Sequence, residues 1–470
     1  MDPATSYGIL SLLPPLVAVV LAFITRDAVF SLLIGILVGI GVTGQNILFG
    51  FTGLVQDALG NADFIWVVCI EVFVGIMVAY FQKSGAIDAF TKKISKRNIN
   101  AVGAQVISWL LGIFIFFSDY FSPLYVGTVM KGITDKARVS REKLSYICSS
   151  TSAPVCTLIP FSAWGVYEAG LLVGLGAFAD KTIATNAVVK MVPYNFYGII
   201  SIALVGLIAM GIVPDFGPMR KAEKRARETG KVIADGAKPM LGKELEQIKP
   251  NEGVEANLLI NFFGPAVIII GVTLGTYLVT GNAKTLEGFI AAVVFQFVTM
   301  LFQKMATVQE LMDTAIEGIK GITSAVIILS LAYCLNAISK ELGTANYVVS
   351  ITKTWMTPTL LLVFTFLTCA FVSFFTGTSW GTYAIMTPIA IPLAFELTGG
   401  AITNIVYATI AAIMGGGCFG DHCSPISDTN ILSSLASGSD HMDHVKTQMP
   451  YALTAAVVSC ILYLILGFVL

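Results

Sequence analysis

Apolar runs rich in Ile, Leu, Val, Phe and Ala recur from end to end of this chain, with polar residues gathered into short islands between them. Unbroken apolar sequence of helical length predicts membrane helices, because a helix satisfies its own backbone amides where lipid supplies no partner. The predicted spans are Ile9 to Thr25, Val29 to Val42, Phe64 to Phe81, Val102 to Phe117, Leu144 to Pro160, Tyr194 to Val213, Leu258 to Val279, Phe289 to Phe302, Ile322 to Ala337, Thr359 to Phe375, Thr382 to Ala394, Ile402 to Met414 and Tyr451 to Leu470. Several fall short of the ~20 residues a straight crossing needs, which predicts re-entrant hairpins and broken helices.

One polar island stands apart. GGGCFGDHCSPISDTNILSS, Gly415 to Ser434, follows an apolar run directly and packs four glycines, two carboxylates, a histidine and a proline into the interior of an apolar chain. Such a stretch cannot be one uninterrupted membrane helix, and carboxylates at membrane depth are by default functional. It is read as half of a substrate or ion site; the alternative is a polar loop outside the bilayer.

Lys and Arg orient the chain. The loops Lys83 to Arg97 and Lys131 to Lys143 and the segment Pro214 to Glu252 are all rich in basic residues, so all three are expected on the cytoplasmic side. Asn98 to Val129 then enters and leaves by one side, and about 30 residues are too few for two ordinary spans. A re-entrant hairpin or broken helix pair is expected at Phe117 to Pro123.

The charged segment divides the chain into a first membrane repeat (1–213), a cytoplasmic linker (214–253) and a second repeat (254–470). Within the linker, Met219 to Gly230 predicts a solvated helix capped by Gly230. The halves echo one another. Phe116-Phe117-Ser118 returns as Phe374-Phe375-Thr376, and a polar element with proline follows each: Ser149 to Pro154, then His422 to Ser427. The loop after the first is basic, whereas Phe395 to Ala401 has no Lys or Arg, as inverted repeats require. The expected class is an all-α polytopic membrane protein of two inverted-topology repeats, with about 11 to 13 membrane segments.

Composition agrees: 56% hydrophobic, 12% charged and a mean hydropathy of +0.81 exclude an ordinary soluble domain. A net charge of −1 gives no reason to expect nucleic acid as a partner. The eight cysteines lie mostly in apolar runs and read as buried thiols. Gly8 to Thr25 lacks a basic leader, so it is expected to stay in the membrane.

Ion-coupled transport needs hard oxygen ligands, and carboxylates that a cation or a proton can neutralise. Asp421 and Asp428 flank Pro425, which is expected to break the helix and turn Ser424 and Ser427 inward. Asp428 is read either as an ion ligand or as the cap of a helix starting near Thr429. Asp119 follows an apolar run directly, so it is either a second ion group or solvated at the interface. Ser149, Ser150 and Thr151 before Pro154 either line a cavity or bond neighbouring helix carbonyls. Thr378 and Ser379 would face the first break, with Gly377 and Gly420 loosening the helices there. Glu71 and Glu168 are further buried-carboxylate candidates without a supporting motif. His441-Met442-Asp443-His444 has metal-like content but is placed in a short polar loop; no metal beyond Na+ and no cofactor is expected. HExxH and Walker motifs are absent, so an enzyme or an ATP-driven pump is not expected.

FGDHCSPISDTNILSS (Phe419 to Ser434) with DHVKTQMPYAL (Asp443 to Leu453), GTSWGTYAIMTPIAIPLA (Gly377 to Ala394) and Ser118 to Pro154 together resemble the NhaC family of sodium/proton antiporters. The resemblance implies a sodium-dependent secondary transporter of the bacterial inner membrane, related members of which carry small carboxylates or amino acids. In that pattern Asp119, Asp421, Ser424 and Asp428 match, whereas Ser118 and Ser149 stand where carboxylates are common. Na+/H+ antiport is the leading expectation. The alternatives are a Na+- or H+-coupled carrier or exchanger of a small amino acid or carboxylate, and an ion channel. Asp421 and Asp119 would bind or relay the coupling ion, and Ser149 to Thr151 with Thr378 and Ser379 would line the cavity. Partners are then Na+, H+, an organic solute in the second reading and the bilayer, and homo-oligomerisation is compatible with either.

Overall fold

Helices supply the regular structure of the computed structural model, which describes residues 7–25, 27–60, 62–87, 89–90, 99–116, 119–160, 162–240, 248–251, 253, 255–280, 284–352, 357 and 359–469. Among these the sole β pairing is an isolated bridge between Pro239 and Asp440. The first half runs through α1 (Leu13–Thr25), α2 (Ala28–Thr43), α3 (Ile47–Leu59), α4 (Ala62–Lys83), α5 (Ala101–Phe114), α6 (Phe121–Lys136) and α7 (Arg141–Ser150). It continues with α8 (Ala153–Cys156), α9 (Ala163–Leu172), α10 (Lys181–Met191) and α11 (Phe196–Ala209), and the linker carries α12 (Gly217–Thr229). The second half holds α13 (Gly264–Thr280), α14 (Thr285–Phe302), α15 (Val308–Gly321), α16 (Thr323–Glu341) and α17 (Thr344–Thr352). It closes with α18 (Leu361–Thr376), α19 (Ser379–Leu397), α20 (Asn404–Cys423), α21 (Asp428–Ser437) and α22 (His441–Val469).

Among the described residues, α4, Leu258–Thr276 and α22 are each long and apolar enough to cross a bilayer alone. Three bent pairs qualify together: α2 with α3 at 112°, α10 with α11 at 48° and α15 with α16 at 45°. Helices α3, α6, α9, α10, α15, α17 and α21 have no counterpart among the predicted spans, because apolar run length does not register short or amphipathic segments. α15 shows the reason: it buries Leu311 and Ala315 while Glu310, Glu317 and Lys320 stay on its outer face.

Three contacts put the basic segments on one face. Lys83 Nζ donates to Asn251 Oδ1 at 2.7 Å, Arg138 Nη1 to the Arg227 carbonyl at 3.3 Å, and the Arg141 amide to the Val232 carbonyl at 3.0 Å. Most of the rest of the loop Lys83 to Arg97 (88 and 91–98) lies outside the described residues. Helix α5 starts beside Gly211 on this linker face, and α6 ends there at Arg138, so α5 and α6 form a hairpin that enters and leaves by one side.

The second hairpin opens the other way. Because α10 and α11 cross as a bent pair whose end meets the linker, the loop 173–180 lies on the opposite face; there Phe178 packs edge-on against Phe395 at the end of α19. α18 runs parallel to α20, Phe366 lying opposite Gly416 and Ala370 opposite Gly420, so both travel from that face to the centre. The order helix, break, helix, loop, helix, break is thus repeated with inverted direction in α5–α8 and α18–α21.

Three apolar clusters hold the bundle, the smallest joining α7, α11, α12 and α22, and the two larger each draw on both halves. One joins α2, α4 and α6 to α14, α15, α16 and α21; the other joins α8 to α11 with α18, α19, α20 and α22.

Close packing explains the glycines of α20. A Cβ on Gly416 would strike the Phe366 carbonyl and one on Gly420 the Ala370 carbonyl, so small residues at four-residue spacing let α18 and α20 touch backbone to backbone. Gly420, expected at a helix break, is therefore inside α20, and the helix ends three residues later before Pro425. The opposing break does need glycine: Gly377 caps α18 at φ +70°, with the Ile426 carbonyl against the space a Cβ would take.

The linker helix is docked rather than solvated. Met219, Ala222 and Ala226 of α12 are buried, and Gly230 caps it at φ +75°. Glu223 accepts from the Ser140 amide (2.8 Å) and hydroxyl (2.7 Å), Arg225 forks onto Glu142 at 2.9 Å, and buried Lys143 pairs with Asp215. These contacts clamp the start of α7, whose other end carries Ser149 and Ser150.

Gly420→Ala is expected to lower the stability of the purified protein by about 1–3 kcal/mol through overpacking. Gly271→Ala, where a Cβ meets nothing within 4 Å on exposed α13, is expected to raise it by about 0.5–1 kcal/mol. Thermal unfolding in detergent reads both signs.

Candidate functional site

Pro425 has no amide hydrogen and disfavours helical backbone at the residue before it, so α20 stops at Cys423 and Ser424 is extended (φ −76°, ψ 134°). A helix end at membrane depth exposes carbonyls that must be satisfied. Asn430 does this: its Nδ2 donates to the carbonyls of Asp421 (3.1 Å), His422 (3.2 Å) and Ser424 (2.9 Å). Gln448 of α22 adds a second donor to the His422 carbonyl. The freed carbonyls of this break are therefore occupied by side chains.

The same bracket joins the halves. Asn430 Oδ1 accepts from Ser149 Oγ (3.0 Å) and Gln448 Nε2 (3.1 Å). His422 is held through Nδ1 to Tyr197 OH (2.6 Å) and through Nε2 to Ser150 Oγ (3.1 Å). The tips of the two inverted elements thus meet through hydrogen bonds between side chains.

Three carboxylates converge beside this junction. Asp421, 2% exposed, accepts from Ser427 Oγ at 2.5 Å and Thr429 Oγ1 at 3.3 Å. Asp428, partly buried, accepts from Tyr120 OH at 2.7 Å. Asp119, 3% exposed, leaves Oδ2 without a partner among the described residues. Asp421 and Asp119 each feel the other two charges of this set, or one of them, and no Lys or Arg pairs with any member among the described residues. Buried Glu71 of α4, also without a partner for either oxygen among the described residues, lies within reach of the Asp428 charge.

Each expected residue has a definite place. Asp428 is the first residue of α21 and not its cap: Ser427 Oγ takes the Asn430 amide at 3.3 Å, which leaves Asp428 free to meet Tyr120. Asp119 is buried, not solvated at an interface. Ser424 Oγ donates to the Phe374 carbonyl (2.7 Å) and Ser379 Oγ to the Gly417 carbonyl (3.2 Å), which binds the breaks together. Thr151 turns away and donates to the Ile147 carbonyl at 2.8 Å. Thr378 is extended ahead of α19 without capping it. Pro154 sits in the first turn of α8, just past the break at Thr151 and Ser152. Ser118 lies outside the described residues, as does Phe117. His441 and His444 begin α22 instead of occupying a loop; His441 Nε2 meets the Pro425 carbonyl (2.8 Å) and His444 Nε2 meets Gln448 Oε1 (2.9 Å).

Asn430, Gln448, Tyr120 and Tyr197 escaped the reading of the sequence. Polar residues that face inward from apolar helices were their only signal, and Gln448, one turn past His444, carries it most plainly.

A family model described as the Na+/H+ antiporter family matches residues 155–468. The chain belongs to that family. An uncharacterised protein of Haemophilus influenzae is 32% identical across 98% of this chain and 92% of its own length. The malate-2H+/Na+-lactate antiporter of Bacillus subtilis is 28% identical over 43% of this chain and 42% of its own. The Na+/H+ antiporter NhaC of Alkalihalophilus pseudofirmus is 27% identical over 43% and 44%. Family membership makes the protein a multi-pass membrane secondary transporter, and the matched segment includes Asp421, Asp428 and the whole of the second break.

Asn430→Ala strands the carbonyls at the cut end of α20, and a stability loss of about 1–3 kcal/mol is expected. Ser427→Ala, which removes the cap of α21 and a bond to Asp421, is expected to cost about 0.5–2 kcal/mol. Unfolding midpoints of the two variants in the same detergent check the order.

Proposed function

We propose that the protein exchanges Na+ for H+ across the cytoplasmic membrane, with the linker face toward the cytoplasm. The observation that carries this reading is the convergence of Asp119, Asp421 and Asp428, buried or partly buried with no cationic side chain paired to them among the described residues, where two inverted broken helices meet. Unit charges ~6 Å apart at an effective dielectric of ~20 repel by about 3 kcal/mol, so such a set favours states in which a cation or a proton neutralises part of it. Na+ and H+ then compete for the same oxygens, and that competition is what couples their fluxes.

Ser427 and Thr429 suit the exchange. Each hydroxyl donates to Asp421 here, and Ser427 also contacts Thr429 at 3.0 Å. A hydroxyl rotor can turn its proton away and offer a lone pair, so the three side chains supply oxygen ligands to a hard monovalent cation without moving the backbone. When the cation leaves, a proton on Asp421 restores neutrality. The basic loops and linker gathered on one face support its assignment to the inside by the positive-inside rule.

A second reading, exchange of a small carboxylate, is favoured by the uncharged hydroxyls Ser149 and Ser150 at the junction and by the substrates in the name of the B. subtilis relative.

Proteoliposomes with a trapped pH-sensitive dye test both. A Na+ pulse alone is expected to move protons in the wild type, and Asp421→Asn is expected to reduce the rate by about 100-fold or more, as loss of the competing carboxylate requires. Asp421→Asn with wild-type rates refutes the mechanism. Proton movement that waits for added lactate or malate selects the second reading.

A further inference from the structure

Glu168 is a further buried carboxylate that the exchange at Asp119, Asp421 and Asp428 leaves unused. It sits on α9, between the centre and the face opposite the linker, and is 0% exposed. Oε1 accepts from Thr387 Oγ1 of α19 at 3.0 Å, and Oε2 has no hydrogen-bond partner among the described residues. No Lys, Arg or His forms an ion pair with it among those residues; the titratable groups that sense its charge are Cys369 of α18 and Tyr383 of α19. A buried polar group with a purely architectural role has its bonding capacity filled, and one neutral hydroxyl does not fill a carboxylate's.

Trp164 stands one turn before Glu168 on the same face of α9. Its indole faces the Asp119 carboxylate. Its ring centroid is 5.5 Å from that of Trp380 and 5.6 Å from that of Tyr383. Asp119, Trp164 and Glu168 therefore succeed one another outward from the centre, with the aromatic group forming a wall between the two carboxylates.

We propose that Glu168, with Thr387, is a second binding station for Na+ or H+, reached from the face opposite the linker and separated from the central carboxylates by the Trp164–Trp380–Tyr383 wall. This rests on the cation-exchange reading above. Trp164 belongs to α9 and the other two rings to the α18–α19 hairpin, so movement of that hairpin against α9 opens the passage.

Dicyclohexylcarbodiimide reacts with protonated carboxyls in apolar surroundings, and mass spectrometry of the peptide containing Glu168 reads its modification in reconstituted protein. Glu168 is expected to be labelled, with saturating Na+ reducing labelling about fivefold or more, in Asp421→Asn as well as in the wild type. Glu168→Gln is expected to raise the Na+ concentration for half-maximal proton movement by about tenfold, and Glu168→Asp by less. Labelling of Glu168 that ignores Na+, or Glu168→Gln with wild-type half-saturation, overturns the assignment. If Glu168→Gln fails to fold, the labelling result decides alone. Na+ protection of Glu168 in a wild type that moves no protons upholds the station and refutes the antiport reading.

Discussion

The cut end of α20 is the constraint on which the centre of this protein depends. Inside a bilayer an interrupted helix leaves carbonyls that water cannot reach, and each must be met by protein. Here Asn430 and Gln448 meet them, and in doing so they fix α21 and α22 against the break. Their remaining polar atoms reach Ser149 on α7, so satisfying one helix end also ties the first repeat to the second. The carboxylates are positioned as a consequence. With the carbonyls occupied and Ser427 capping α21, the side chains of Asp421, Asp428 and Asp119 are the groups that the proposed exchange would use.

The same constraint connects the linker to the centre. Helix α7 is only ten residues long, with Ser149 and Ser150 at one end and Glu142 and Lys143 at the other. The linker grips that second end through Glu223, Arg225 and Asp215, and strand-like pairing of Met240 with Ser439 ties it also to the turn after α21. Helix α7, about 15 Å long at ~1.5 Å of rise per residue, thus connects the α12 contacts to the junction. Both helix tips that build the site are anchored on their linker side by one segment.

Much of this was legible in the residues. Basic loops located a shared face, the shortness of Asn98 to Val129 required a hairpin, and Pro425 announced the break, because backbone chemistry and charge placement are local properties. What stayed hidden depends on contacts between distant segments. Gly420 looks the same in sequence whether it loosens a helix or admits a neighbouring backbone, and only the approach of Ala370 tells which. Asp428 looked like a cap because Asp is a good one, yet Ser427 stood one residue earlier and took the role. Asn430 gave no sign of its role beyond being polar, since its partners are carbonyls whose exposure follows from the break itself.

Ser149 shows how these levels combine. In the family pattern a carboxylate is common there, and its loss reads in isolation as a weakened ion site. Ser149 donates to Asn430 Oδ1 at 3.0 Å, and Gln448 Nε2 lies 3.2 Å from its oxygen. An ionised carboxylate at that position would face the acceptor oxygen of Asn430 with no proton to offer, and would set charge against the dipole that holds the end of α20. The hydroxyl is the group that completes this lattice, so negative charge is confined to the Asp421 side of the junction. Under the proposed exchange the departure therefore leaves the ion chemistry to one side of the break, and Ser149 belongs with the bracket rather than with the carboxylates Asp119, Asp421 and Asp428.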